Sequence, residues 1–462
     1  MKVDSLAKLL TDKLGKNSVL TGTNLMQKYD HIWRMNEPTK TPLIVFPKTT
    51  KDVSEIMKIC NKLCQKIVIH GGLTNLVGGT KTSNDAIVIS LEKMNEIEEF
   101  DEKSKTITVQ SGVILEDIIN KVSERKLLLP LNFGAKGSAQ IGGVVSTNAG
   151  GLRVFKYGMT RQMVLGLEAV MPDGTIISSL KKVIKDNSGY DLKQFFIGSE
   201  GTLGIITKII LKLVVSPSTR YSAIVGLNNY ENVVNLLKLL EKDIGKILSG
   251  FELIWNSTYK TMINNLETVN PPLSDEFKYY VFIEVLGNET ENDKILLQKS
   301  IENAINLNLI LDGSIAENER ELNNLWQIRE DVGILDYDSK FAQHFDISIP
   351  IPKIGSLVDE IVTKLNTLEY VDKIYPFGHV ADGNIHFIVG KNKNSIKIID
   401  EINKIVYSPL KKLNGSISAE HGIGLDKKKY LNMTRSDDEI DLMRKIKKLF
   451  DPKLILNPGR II

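Results

Sequence analysis

Three of the six histidines in this chain fall in two short stretches whose other residues suit metal and acid–base chemistry. Residues 376–387 read Pro-Phe-Gly-His-Val-Ala-Asp-Gly-Asn-Ile-His-Phe, and residues 418–424 read Ser-Ala-Glu-His-Gly-Ile-Gly. Asp382-Gly383 is the dipeptide of a two-residue type I′ turn, in which both residues take φ > 0. A hairpin centred there pairs Ala381 with Asn384, Val380 with Ile385, and His379 with His386. Directly opposed residues have Cβ atoms about 4.5–5.5 Å apart, so two imidazoles at that register can share one metal ion. Glu420 is a candidate oxygen ligand, leaving the open position that catalytic metal sites keep. A hairpin with two hydrogen-bonded core histidines fits the same spacing, and spacing alone leaves both readings open.

A further reactive candidate is Arg329. Residues 315–332 read as a helix that puts Leu322, Leu325, Trp326 and Arg329 on one face. An arginine in an apolar stripe requires an anion, because an unpaired buried charge is very unfavourable. An internal carboxylate and a bound one serve equally well.

Two glycine regions complete the chemistry. The apolar run 67–69 reads as a buried strand that enters His70-Gly71-Gly72-Leu73-Thr74-Asn75-Leu76-Val77-Gly78-Gly79. Successive backbone N–H groups in such a loop form a concave nest for phosphate oxygens. The G-x-G-x-x-G fingerprint is absent, and a strand at 86–91 follows where a helix would begin, which argues against a nicotinamide dehydrogenase. The second region holds Gly134, Gly137, Gly142, Gly143, Gly150 and Gly151, interleaved with Ser138, Ser146, Thr147 and Asn148. Small residues at that density leave room for a large planar ligand against the backbone.

The elements that must position these groups are legible in outline. Residues 51–65 carry a helical apolar stripe at Val53, Ile56, Met57, Cys60, Leu63 and Cys64. Strands are expected at 107–110 and 127–131, a helix at 114–125, a hairpin over 164–179 turning at Pro172-Asp173-Gly174, and a long apolar strand toward residue 213. Ser216-Pro217-Ser218 reads as a linker. Beyond it, strands at 221–227 and 279–286 alternate with helices at 231–243 and 291–307, as in an α+β domain. Late helices are expected at 426–430 and 439–449.

The 462 residues are too many for one ordinary core, so two or three domains are expected. A composition of 42% apolar and 25% charged residues is that of an ordinary globular protein. A net charge of +3 argues against a nucleic-acid or membrane footprint. Cys60 and Cys64 match neither a metal pair nor a redox Cys-x-x-Cys, which suits a reducing compartment. No apolar run approaches the roughly 18 residues of a membrane span. Residues 1–14 lack the features of a signal or transit peptide, and the cytoplasm is the expected compartment.

Two long segments carry a family resemblance. Residues 132–153 (Asn-Phe-Gly-Ala-Lys-Gly-Ser-Ala-Gln-Ile-Gly-Gly-Val-Val-Ser-Thr-Asn-Ala-Gly-Gly-Leu-Arg) and 186–207 (Asp-Asn-Ser-Gly-Tyr-Asp-Leu-Lys-Gln-Phe-Phe-Ile-Gly-Ser-Glu-Gly-Thr-Leu-Gly-Ile-Ile-Thr) resemble the FAD-binding segments of the vanillyl-alcohol-oxidase-like flavoproteins. The match is best with the D-2-hydroxyacid dehydrogenase branch: D-2-hydroxyglutarate dehydrogenase, then D-lactate dehydrogenase and the glycolate-oxidase flavoprotein subunit. The resemblance runs from about Thr41 to the C-terminus. It implies an α+β architecture with a two-subdomain FAD-binding domain over 1–215, a substrate-binding cap over 216–412, and a tail, 413–462, returning to the FAD domain. It implies non-covalent FAD held by Gly71, Gly72, Thr74, Asn75, Leu76, Gly78, Gly137, Ser138, Gly142, Gly143, Ser146, Asn148, Gly201 and Ile206. It also implies a divalent metal, commonly zinc, on His379, His386 and Glu420, with His421 as base and Arg329 on a substrate carboxylate. The expected substrate is a small D-2-hydroxy acid. The chain has no iron–sulfur cysteine pattern, so electrons are expected to leave to a partner such as an electron-transfer flavoprotein, a quinone or a cytochrome. A homodimer, and the mitochondrial matrix if the source is eukaryotic, complete the expectations.

Three positions depart from the 2-hydroxyglutarate enzymes. Gly333 stands where a threonine is typical, His344 where a lysine is typical, and Ile388 where an asparagine is typical. In the family these positions contact substrate. Their changes weaken the hold on a second, distal carboxylate unless protonated His344 or Lys340 substitutes, and so suggest a D-lactate-like substrate. Two other readings share the fold: an ether-forming transferase of the alkyldihydroxyacetonephosphate synthase type, and a non-catalytic or complex-dependent flavoprotein subunit.

Overall fold

The computed structural model describes residues 3–33, 35, 38–266 and 269–462. The chain divides into two compact units. The first comprises 1–150, 158–216 and 420–462, and the second comprises 151–157 and 217–419. Relative to the expected boundaries, residues 151–157 and 413–419 fall with the second unit.

The first unit holds two principal sheets. One has the order Val19–Thr21, Leu43–Val45, Ala86–Ser90, Lys66–His70, and its last three strands are parallel. Parallel strands covered on both faces read as continuous apolar runs, and Ala86–Ser90 is buried throughout. The connecting helix, Thr50–Leu63, starts with a capping box in which Thr49 accepts from the Asp52 amide and Asp52 reciprocates. The other sheet is antiparallel, in the order Ile97–Asp101, Thr106–Gln110, Ile205–Lys212, Val164–Val170, Ile176–Ser179. The Pro172-Asp173-Gly174 turn joins the last two of these, with Gly174 at φ 88°. The strand expected over 127–131 shortens to Leu127–Leu128, which pairs only with Val214–Val215.

The C-terminal segment completes the first unit. The Ile67 amide donates to the Ile455 carbonyl (2.8 Å) and the Asn457 amide to the Ile67 carbonyl (2.9 Å), so residues 455–457 run parallel beside Lys66–His70. Buried Lys447, on helix Asp437–Phe450, locks this tail. Its ammonium donates to the Thr202 carbonyl (2.7 Å), the Asp451 carboxylate (2.7 Å) and the Leu456 carbonyl (2.8 Å). Asp451, also buried, accepts in turn from the Ile455 and Leu456 amides.

The second unit is built on one seven-stranded antiparallel sheet. Its order is Asp312–Ile315, Thr219–Leu227, Tyr279–Gly287, Leu248–Trp255, Val371–His379, Asn384–Lys391, Phe341–Ser348. Leu248–Trp255, Tyr279–Gly287 and Asn384–Lys391 are buried at every residue, so one face cannot be told from the other by alternation. Helices Tyr230–Ile244 and Thr290–Asn306 pack on each other and on the sheet. The opposite face carries Ile254, Tyr280, Phe282, Phe377 and Ile388, covered by helix Asn256–Asn265 and by Leu322, Leu325 and Trp326. The helix expected over 315–332 is Glu319–Glu330. Ile315 ends an edge strand instead, and Asn318 caps the helix by accepting from the Glu321 amide.

Removing the Lys447 ammonium leaves the Asp451 carboxylate buried without its cation, a change that costs about 3–5 kcal/mol. Lys447→Met is therefore expected to lower the thermal unfolding midpoint, measured by calorimetry or circular dichroism, well beyond any exposed Lys→Met substitution.

Candidate active site

The second unit concentrates charged side chains on one face of its sheet. Four adjacent strands contribute one group each at matching register. Glu252 opposes His379, His386 opposes Phe377 on one side and Asp346 on the other, and Phe377 lies two residues before His379 on the same face. Glu252 and Asp346 are buried.

The expected two-residue turn at Asp382-Gly383 does not form. The strand stops at His379, residues Val380–Asp382 make a 3-10 turn, and only Gly383 takes positive φ, at 83°. This longer turn buries Val380 and lets the Gly383 carbonyl accept from the Ile349 amide at 3.1 Å. His386 consequently faces Phe377, and His379 sits diagonally to it. A slip of two residues preserves the face each side chain points to. The two imidazoles remain neighbours, with ring centroids 5.3 Å apart.

Glu252 organises the site. Its Oε1 lies 2.7 Å from His379 Nδ1, while Arg329 brings Nε to 2.9 Å and Nη2 to 2.6 Å from Oε2. Burial disfavours the charge on Glu252, but His379 and Arg329 outweigh burial and hold the carboxyl below its ordinary range. The anion that Arg329 needs is thus supplied internally. The same guanidinium lies over the Phe377 ring, 5.1 Å from its centroid. Asp346 accepts from Asn384 Nδ2 (2.8 Å), Ser418 Oγ (3.1 Å) and the Ala419 amide (3.0 Å), and its Oδ1 lies 3.9 Å from His386 Nδ1.

The remaining substrate candidates lie along the same strands. His344 opposes Ile388. Its Nε2 is 2.9 Å from Asp336 Oδ1, and both side chains are about one-third exposed. Ile388 is a core residue beside Tyr375 and Phe377. Gly333 has open space where a side chain would project.

Glu252, Asp346 and Glu284 escaped the sequence reading. Glu284 lies on the same sheet and is gripped by Arg153 (3.2 Å from each oxygen) and by Arg220 (2.9 Å), with Ser249 Oγ at 2.8 Å. Each of the three is a lone acid inside an apolar run (Gly-Phe-Glu-Leu-Ile, Phe-Ile-Glu-Val-Leu, His-Phe-Asp-Ile-Ser). That isolation is the signal that marks them, since a charge in a fully buried strand requires partners.

The first unit brings the two glycine regions together. A side chain on Gly72 would lie 2.0 Å from the Ser138 carbonyl oxygen and 2.9 Å from Ala139 Cα, and Gly71 faces Gln140 and Gly143. Leu73 takes φ 59°, and the loop is held in shape by Asn75 Oδ1, which accepts from the Val77 and Gly79 amides (3.0 and 2.7 Å). Thr74, Leu76 and Gly78 lie on the same loop, where a side chain on Gly78 would meet the Asp426 carboxylate. Gly142 packs on Ser111 and Gly137 beside Glu116, while Gly143 opens onto free space. Ser146 accepts the Glu200 amide through its carbonyl (2.7 Å), and Asn148 accepts the Arg161 amide (2.9 Å). Gly201 packs on Asn457, and Ile206 is buried in the antiparallel sheet. Gln140 Oε1 and Ser111 Oγ are buried without a hydrogen-bond partner among the described residues. A backbone cradle that admits no Cβ at Gly72 or Gly142, beside a buried amide oxygen and a buried hydroxyl without partners, suits a nucleotide cofactor. Glu420 and His421 belong to this unit, at the head of the segment that ends in the C-terminal tail.

Comparison with known proteins accounts for both units. Residues 41–179 match the model of an FAD binding domain, and residues 216–461 match that of the FAD linked oxidases, C-terminal domain. A putative mitochondrial D-lactate dehydrogenase of Schizosaccharomyces pombe is 39% identical over 441 residues, covering 93% of this chain and 83% of that protein. A probable mitochondrial D-2-hydroxyglutarate dehydrogenase of Oryza sativa subsp. japonica is 37% identical over 453 residues, covering 96% and 80%. The crystal structure of p-cresol methylhydroxylase with substrate bound superposes with a TM-score of 0.76 at 16% identity over 99% of this chain and 96% of that one, a likeness of fold. Gly72→Ala, which drives a methyl group into the 138–139 backbone, is expected to lower the flavin bound per chain, read from visible absorbance of the purified protein. The chain belongs to the FAD-linked oxidases of the vanillyl-alcohol-oxidase-like type, in the branch of the D-2-hydroxyglutarate and D-lactate dehydrogenases.

Proposed function

We propose that this protein is an FAD-dependent oxidoreductase that converts a D-2-hydroxy acid to the 2-oxo acid. The observation that carries the reading is the buried Glu252–Arg329–His379 cluster beside His386 and Asp346, in a chain of this family. FAD, which the 71–79 loop and the 137–148 segment would hold, would supply the acceptor for the hydride of C2.

Each residue has a definite task. His421, neutral, takes the hydroxyl proton. Arg329 has committed Nε and Nη2 to Glu252, and Nη1, with no hydrogen bond to the described residues, would hold the substrate carboxylate. A divalent cation, with zinc the first candidate for a donor set of imidazoles and a carboxylate, would be held by His379, His386 and Glu420 and would lower the pKa of the hydroxyl. Glu252 supports that role: as a carboxylate it accepts Nδ1–H of His379, which leaves the lone pair on Nε2, the tautomer a ligating histidine requires.

For the substrate, we favour a short or weakly charged tail, as in D-lactate. His344 is already matched by Asp336, Ile388 offers only apolar surface, and Gly333 brings no hydroxyl. Electrons would leave the flavin to a separate acceptor, such as an electron-transfer flavoprotein, a quinone or a cytochrome. The two relatives named above are mitochondrial by name, and among the described residues no helix is long and apolar enough to cross a membrane.

His421→Ala is expected to keep its FAD and to lose reduction of the flavin by substrate in anaerobic mixing; reduction at the wild-type rate would show that another group takes the proton. Steady-state comparison of D-lactate with D-2-hydroxyglutarate is expected to give the higher kcat/KM for D-lactate, and a large excess in favour of the dicarboxylate would overturn the substrate assignment.

A further inference from the structure

Glu200 lies in the first unit between the two glycine regions and the C-terminal segment, and its conformation is unusual. Its backbone takes φ 50°, a left-handed geometry disfavoured for a residue with a Cβ by about 1–2 kcal/mol. Both sides of that backbone are tethered: its amide donates to the Ser146 carbonyl (2.7 Å), and its carbonyl accepts from Asn457 Nδ2 (2.7 Å). Asn457 is itself fixed, accepting from the Ile69 amide at 2.9 Å. The side chain is therefore aimed by contacts to three separate parts of the chain.

It is aimed at the segment that begins with Glu420-His421. Oε1 accepts from the Ile423 amide at 2.7 Å and Oε2 from the Gly424 amide at 2.8 Å. The next two amides, Leu425 and Asp426, both donate to the Val77 carbonyl of the 71–79 loop, at 3.0 and 3.1 Å. Four consecutive N–H groups are thus fixed, two by one carboxylate and two by the loop of the first glycine region. Gly422, at φ 88°, makes the approach feasible, because a Cβ there would stand 2.8 Å from Glu200 Oε1. No lysine or arginine of the described residues hydrogen-bonds this carboxylate. Burial pushes this carboxyl above its ordinary range, opposed by the two amides and by the nearby charges of Lys427 and Arg460, and strained backbone held by many contacts points to function.

We propose that Glu200 is a positioning residue: its carboxylate clamps the 422–424 turn and thereby fixes where Glu420 and His421 present their side chains. The assignment rests on the reading of His421 as the base. It makes Glu200, on the strand-entry loop of the flavin-binding unit, the part that registers the base against the 71–79 loop.

The test uses the full, FAD-loaded chain and three variants: Glu200→Gln, Gly422→Ala and His421→Ala. Glutamine keeps the size but replaces one acceptor with an N–H₂ that faces an amide N–H. Glu200→Gln is expected to retain FAD, to show faster amide hydrogen exchange in the peptide spanning 418–427 with the other peptides unchanged, and to reduce the flavin with D-lactate on the order of 10²-fold more slowly, the loss a displacement of about 1 Å produces. The loss is expected in kcat rather than KM, and not to add to that of His421→Ala. Gly422→Ala, which leaves the charge in place but pushes the turn away from it, is expected to reproduce the kcat loss. Unchanged exchange in 418–427, an unchanged flavin reduction rate, or full additivity with His421→Ala would overturn the proposal. Loss of FAD in both Glu200→Gln and Gly422→Ala would do so as well, by making the clamp a fold or cofactor element. A fully active His421→Ala would instead sink the base assignment, while the exchange measurement still decides the clamp.

Discussion

The charged cluster of the second unit depends on the buried carboxylate of Glu252. Glu252 sits in a strand with no exposed residue and binds a guanidinium on one oxygen and an imidazole on the other. Removing Arg329 would leave that carboxylate without its cation in a low-dielectric interior, and removing Glu252 would strand Arg329 and free the His379 ring. The three groups are therefore mutually obligatory. That interdependence makes the site rigid: Arg329 cannot swing toward a ligand without deserting its anion, so any ligand it holds must come to it. Preorganisation of this kind is what an oxidation needs when the protein's task is to orient a small acid and the redox chemistry belongs to a cofactor.

The sheet explains why the group assembles. Antiparallel pairing places opposed side chains on one face, and four neighbouring strands each donate one titratable group in line. Helix Glu319–Glu330 then delivers Arg329 from above the same face, its apolar neighbours Leu322, Leu325 and Trp326 anchoring it in the core. The arginine, anomalous within a hydrophobic stripe, is the one position where that stripe reaches the charged end of the sheet.

Much of this was legible in the chain. The periodicity of residues 51–65, the Pro172-Asp173-Gly174 turn and the break at 216–218 translate directly into a helix, a hairpin and a unit boundary, because each rests on local geometry. The proximity of His379 and His386 was also legible, although the reasoning behind it was partly wrong. Asp382-Gly383 suggested the tightest turn its residues allow, whereas burial of Val380 and the bond from Ile349 to Gly383 favour a longer one. Those are contacts with another strand, invisible to a local rule. The even slip spared the conclusion, since an odd one would have sent His386 to the opposite face. Glu252 and Asp346 stay hidden for a related reason: an acid in an apolar run announces that it needs partners without saying which, and Glu200, between Ser199 and Gly201, lacks even that signal. Their partners lie far away in sequence, 77 residues for Glu252 with Arg329 and 223 for Glu200 with Ile423.

The connectivity carries one further consequence. The chain leaves the first unit at 150, returns at 158, leaves again at 216 and returns at 420. The strand Lys66–His70, made early in synthesis, keeps an unpaired edge until residues 455–457 arrive to cover it. The residues of the second unit are all made by residue 419, whereas the first unit also needs residues 420–462. The nascent protein thus carries an uncovered strand edge from residue 70 until residue 457, a hazard for strand-to-strand aggregation. The loop that ends that strand, 71–79, receives its own last supports, the amides of Leu425 and Asp426 and the guanidinium of Arg460, at the same late stage. Maturation of the cofactor cradle is in this way coupled to the synthesis of residues 425–460.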